Sequence, residues 1–182
     1  MLLTYLLFIL AAPQGAGIGT LETTSTPTRP AITRELHSKL TGEFTTVGSK
    51  ANKKMTISRV ADRNHPFRLY APAEGNYRSG YEVQTLKIGG KYFVFLRKDR
   101  TESPQRILRL THTETTVSLH PIKAQFLRKH QGDFPGLTYS EAKKCFSYGD
   151  DFKKLNDLLT LCTTDNNAFG EAVLVLSREN SP

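Results

Sequence analysis

The stretch Tyr81-Glu82-Val83-Gln84-Thr85-Leu86-Lys87-Ile88, then Gly89-Gly90, then Lys91-Tyr92-Phe93-Val94-Phe95-Leu96 decides the fold. Two consecutive glycines take the positive φ angles of a tight two-residue turn, so the runs on either side are expected to pair antiparallel as a hairpin. A second such pair follows from Arg106 to His112 and Thr115 to His120, with Leu108 and Leu110 inward on one strand and Val117 and Leu119 on the next. Upstream, Gly42-Glu43-Phe44-Thr45-Thr46-Val47 and Lys54-Met55-Thr56-Ile57-Ser58-Arg59-Val60 are rich in β-branched residues. Asp62-Arg63-Asn64-His65 supplies turn chemistry before Pro66-Phe67-Arg68-Leu69-Tyr70, where Phe67 and Leu69 share one face. Another polar turn is expected at Glu74-Gly75-Asn76. Short strands at this spacing specify a barrel or sandwich rather than a parallel sheet.

The period changes beyond the hairpins. Ile122, Phe126 and Leu127 fit one face of a short helix, with Pro121 suited to its first turn. Phe152, Leu155, Leu158, Leu159 and Cys162 recur at three- and four-residue steps behind Asp150 and Asp151, the acidic start a helix favours. Ala172-Val173-Leu174-Val175-Leu176 returns as a last buried strand. The expected class is mainly β (α+β): an antiparallel barrel or strongly curved sheet with one or two short C-terminal helices.

Three segments divide the chain. MLLTYLLFILAA at residues 1–12 has the length of a signal-peptide apolar region and is too short to cross a bilayer; small residues and breakers follow to Gly17. Residues 1–17 are therefore expected to be a signal peptide or N-terminal apolar segment. Export places the protein in the periplasm or outside the cell, and a retained segment would tether it to the membrane. Residues 18–35, rich in Thr and Pro, read as a linker with little to bury. Residues 36–182 form the single β-rich domain.

With 38% hydrophobic and 23% charged residues and a mean hydropathy of −0.39, the chain is an ordinary globular one; collagen, coiled coil and wholesale disorder are excluded. The net charge of +8 and pI near 9.6 favour an anionic partner such as an acidic envelope surface. The only cysteines, Cys145 and Cys162, admit two readings: a disulfide, which export would preserve, or two small buried thiols. Spacing does not choose between them.

No motif carries chemistry. The histidines at 37, 65, 112, 120 and 130 lack the spacing of a zinc site, although His112 and His120 flank one turn. No nucleophile elbow or cysteine-centred signature is present. Gly149-Asp150-Asp151 reads as a helix cap. Lys91-Tyr92-Phe93-Val94-Phe95 lacks the small residues of the RNA-recognition signature, so core packing is the reading and nucleic acid is disfavoured. No cofactor is expected, nor any metal site.

Thr41-Gly42-Glu43-Phe44 at the first strand, the 81–96 hairpin, Leu119-His120-Pro121-Ile122 leading into a helix and the 165–171 segment before the last strand resemble uncharacterised exported bacterial proteins with a lipocalin-like (calycin-like) barrel. The likeness spans about three quarters of the chain. Phe44 stands where lipocalins proper carry the Trp of Gly-x-Trp. The resemblance implies binding rather than catalysis, since a barrel of this size fills with side chains or holds one small ligand. Phe67, Leu69, Tyr81, Val83, Tyr92, Val94, Leu108 and Leu110 are the expected walls. Two functions follow: a binding protein for a small apolar or amphipathic molecule, or an interaction module docking on an anionic envelope surface or protein partner. A hydrolase would need a spatial cluster of catalytic groups that sequence cannot reveal.

Overall fold

The computed structural model describes residues 20–25, 36, 39–48, 53–59, 67–70, 80–98, 103–149 and 151–178. The expected signal segment at 1–17, most of the linker, and the turns at 62–65 and 74–76 lie outside the described residues.

The described strands are β1 Leu21–Thr23, β2 Gly42–Thr46, β3 Lys54–Arg59, β4 Phe67–Tyr70, β5 Gly80–Ile88, β6 Lys91–Lys98, β7 Gln105–His112, β8 Thr116–Pro121, β9 Leu137–Ser140, β10 Cys145–Tyr148 and β11 Leu174–Ser177. Two helices, α1 Ala124–His130 and α2 Phe152–Thr164, precede a 3-10 turn at Asn166–Ala168. The antiparallel series β2-β3-β4-β5-β6-β7-β8-β11 closes on itself through the β11–β2 ladder, so eight strands make a complete barrel. Closure removes the edges that a curved open sheet would leave.

The 81–96 hairpin forms in the expected register, Ile88 opposite Lys91 and Tyr81 opposite Lys98, with φ of 53° and 78° at Gly89 and Gly90. At the β2–β11 seam, Arg178 Nη2 donates to the Thr41 carbonyl at 2.8 Å while its guanidinium lies 5.2 Å from the centre of the Phe44 ring. Phe44 is thus packed inside the barrel under a cation.

Two expectations are corrected. Within the 18–35 linker, Leu21–Thr23 is a strand: it pairs antiparallel with the first half of β7 and parallel with β10, and Leu21 and Thr23 are fully buried. A three-residue segment gives no periodic signal of its own; its ordering comes from two neighbours far along the chain. Pro121 ends β8 opposite Leu108 instead of opening a helix, and α1 starts at Ala124 with Lys123 as its cap residue. In addition, 137–148 carries a hairpin, β9–β10, with Lys144 at a φ of 50° near the turn. That hairpin and β1 extend the sheet away from the barrel where β7 leaves β8 for β1.

Two cores result. The inner one fills the barrel. The outer one lies on the opposite side of β5–β7, where Ile88, Phe93, Phe95 and Ile107 meet Leu155, Leu158, Leu159 and Cys162 of α2, Phe126 and Leu127 of α1, and Leu21, Leu137 and Phe146. The face of α2 expected from its periodicity is the one buried, and Asp151 caps it by accepting from Lys154 N at 3.1 Å. Covering the outer face explains why the middle of β6, Phe93-Val94-Phe95-Leu96, is buried on both sides.

Candidate functional site

All eight expected wall residues face the barrel interior. Phe67 pairs with Val83, Leu69 with Tyr81, Tyr92 with Leu110 and Val94 with Leu108, and directly opposed residues share a face. Six of them are buried in the inner core, and Tyr81 and Tyr92 pack against it half-buried. The same core draws in Phe44, Met55, Ile57, Leu96, Val117, Leu119, Leu174 and Leu176 from the strands, and Leu36 and Leu40 from the helical turn ahead of β2. Val117 and Leu119 are the inward residues expected on β8, and the other strand members follow by counting in twos from the residues already assigned. Leu36 and Leu40 carried no such mark.

The walls lie close around one another. Exposure of the six buried wall residues runs from 0 to 7%, and Leu36 and Leu40 stand at 0 and 2%. A wall bordering a space of molecular size would retain more surface, so these walls are sealed by packing in which the two leucines take part.

One row of the interior is polar. Thr85 lies opposite Val94 on the inward side of β5 and β6, and Lys87, opposite Tyr92, continues that row at the exposed end of β5. Lys87 Nζ is 5.2 Å from the centre of the Tyr92 ring, and the His112 ring centre is 5.9 Å from that of Tyr92. Thr85 is fully buried and its Oγ1 has no hydrogen-bond partner; His112 Nδ1 is also enclosed and unpartnered. At the other end of the interior, burial pushes the Tyr81 hydroxyl above its ordinary pKa, against the pull of nearby Arg106. Arg106 itself pairs with Glu22 of β1 at 3.2 Å.

His112 and His120, which flank one turn in sequence, point to opposite faces: His112 is opposite Val117 inside and His120 opposite Arg109 outside. His120 Nδ1 lies 3.2 Å from the Gly170 carbonyl, which only accepts, so Nδ1 carries the proton and Nε2 meets the Thr111 hydroxyl at 3.0 Å. The cysteines are two free, buried thiols, and the bridge between Cys145 and Cys162 is not made. Cys145 Sγ faces Glu22 Oε2 at 3.9 Å. Burial pushes the Cys162 thiol up to about 12. Cys145 is raised as well, first by burial and then by the Glu22 carboxylate. Both thiols are poor nucleophiles near neutral pH. Among the described residues no three His, Cys, Asp or Glu side chains come together to hold a metal.

The class defined by this geometry is a closed eight-stranded antiparallel β-barrel with an apolar interior, an architecture consistent with lipocalin-like barrels. No family model matches the chain, and no curated protein or solved structure matches it significantly. Function is therefore argued from the site, because a barrel hosts many.

Proposed function

We propose that the domain is a binding protein for one small apolar or amphipathic molecule held inside the barrel. The observation carrying this reading is the pairing of a continuous apolar wall with a short row of unsatisfied polar groups, above all the buried Thr85 hydroxyl and His112 Nδ1. A buried hydroxyl without a partner costs about 1–3 kcal/mol. An apolar pocket with few convergent polar groups is the usual make-up of a small-molecule site. Since Leu36 and Leu40 enter the packed interior from outside the sheet, the ligand would take their place rather than fill an existing void.

Native mass spectrometry before and after denaturation, with titration of an amphipathic fluorescent dye, tests this. The expected result is a bound mass lost on unfolding and a dye site that Leu40→Ala makes tighter while lowering stability. A ligand-free chain to which no dye binds, in wild type and Leu40→Ala alike, would refute it and leave the interior as a solid core.

Export belongs to the same proposal. Cleavage near Gly17 would leave β1 intact just behind the new N-terminus. N-terminal sequencing from an exporting host should then begin near Ile18, and recovery of the chain with Met1 in place would count against cleavage.

A further inference from the structure

The outer wall of the barrel carries two cations with no counter-ion among the described residues. Phe93 faces outward opposite Arg109, and Lys91, two residues before Phe93, projects to the same side. The Phe169 ring packs on Phe93 with ring centres 6.0 Å apart. Lys91 Nζ lies 5.4 Å, and the Arg109 guanidinium carbon 4.8 Å, from the centre of that ring.

Among the described residues neither side chain has an ion-pair or hydrogen-bond partner, and Lys91 Nζ and Arg109 Nε are both enclosed. The other half-buried arginines among the described residues do have partners. Arg68 and Arg97 meet Glu82, Arg106 meets Glu22, and Arg178 meets the Thr41 carbonyl. Asp165 stands near enough to influence Cys162 as Lys91 does, but its Oδ1 accepts from Asn167 N at 2.7 Å to cap the 3-10 turn. Beside Arg109, His120 has both ring nitrogens engaged by Thr111 and Gly170.

Lys91 has a partial structural account. It lies near the carbonyl end of α2, whose last turn contains no basic residue, and a cation there is favourable. Nothing comparable faces Arg109. Its terminal nitrogens, unlike Nε, reach the surface without a partner. Two like charges drawn together on one ring, partly desolvated, disfavour each other unless an anion joins them.

We propose that Arg109 and Lys91, held over Phe169, form a binding site for a phosphate group. The open guanidinium fork of Arg109 takes two phosphate oxygens, and the enclosed Lys91, over the same ring, adds its charge to the local field. A planar fork held by an aromatic face is preorganised for this geometry, and two cations favour a dianion over chloride or a monocarboxylate. The group is a free phosphate or the phosphate head of a lipid. This site is on the outside of the barrel and stands apart from any ligand inside it.

The full chain is titrated with inorganic phosphate by calorimetry and thermal melting at constant ionic strength set with sodium chloride. A parallel arm measures co-sedimentation with phosphatidic acid vesicles against phosphatidylcholine vesicles. Saturable binding is expected in at least one arm. Arg109→Gln and Lys91→Gln each weaken it by at least about tenfold, Arg109→Lys restores only part, and Lys54→Gln at an exposed cation leaves it unchanged. Binding of phosphate alone assigns the free ion, and binding of vesicles alone assigns the head group. Failure in both arms, or binding undiminished in folded Arg109→Gln, overturns the proposal. Arg109 would then only pack Phe169 against the barrel, and its replacement would lower the melting temperature with no dependence on phosphate.

Discussion

Leu21→Ala separates a strand from a linker. Leu21 is fully buried, with Ile107 of β7 on one side in the ladder and Phe146 of β10 on the other. Truncation removes three carbons. At about 0.8 kcal/mol per buried methylene, lost transfer free energy is about 2 kcal/mol, and the cavity left between paired strands brings the total to about 3 kcal/mol, within the usual range of about 2–5. Urea unfolding followed by circular dichroism gives the number directly. With a slope of about 2–3 kcal/mol per molar for a domain of this size, the midpoint should fall by about 1–1.5 M while the slope stays constant. Val47→Ala is the control, because Val47 is 53% exposed and its truncation should cost no more than about 0.5 kcal/mol. If Leu21→Ala behaves like Val47→Ala, the segment is a linker and the role of β1 in joining the β9–β10 hairpin to the barrel is refuted.

Four further outcomes follow from the same geometry. Alkylation of the unfolded chain without reductant should label both Cys145 and Cys162, with little labelling of the folded chain at pH 8. Because folding raises the Cys162 thiol from near 9 to about 12, the neutral thiol favours the folded state; that contribution is complete below pH 9 and is lost as pH rises from about 9 to 12, so urea midpoints should fall across that window. Gly89→Ala should destabilise more than Gly90→Ala in thermal melts. Both have positive φ, but a Cβ at Gly89 would collide with Thr163 of α2 whereas one at Gly90 meets open space, where the cost should be about 1 kcal/mol. Arg178→Ala, which removes a charged hydrogen bond to Thr41 and the cation over Phe44, should cost about 2–3 kcal/mol in urea unfolding, with Arg178→Lys intermediate.

The candidate interior was legible to a large extent, and the outer site was not. Phe67, Leu69, Tyr81, Val83, Tyr92, Val94, Leu108 and Leu110 were found together because alternation along each strand, once two hairpins were paired, leaves no freedom about which residues share a face. Thr85 and Lys87 continue the same alternation from Tyr81 and Val83, but alternation alone does not say whether a polar residue at an inward position is buried, as Thr85 is, or exposed, as Lys87 is. Lys91 looked like a basic residue on a packing strand; that it lacks a counter-ion depends on Phe169, more than seventy residues away.

The local features were legible in the residues alone: the Gly89–Gly90 turn, the strands that alternate, the helix whose apolar residues recur from Leu155 to Cys162, and therefore the inward set. Closure of the barrel, the burial of Leu36 and Leu40 within it, the insertion of β1 between β7 and β10, and the free state of the two thiols were decided only by the tertiary structure. The physical reason is range. Side-chain direction follows from periods of two and 3.6 residues that any short stretch displays, whereas β1 meets β10 across more than a hundred residues and is ordered by buried area and ladder hydrogen bonds that exist only once the rest of the chain has folded around it.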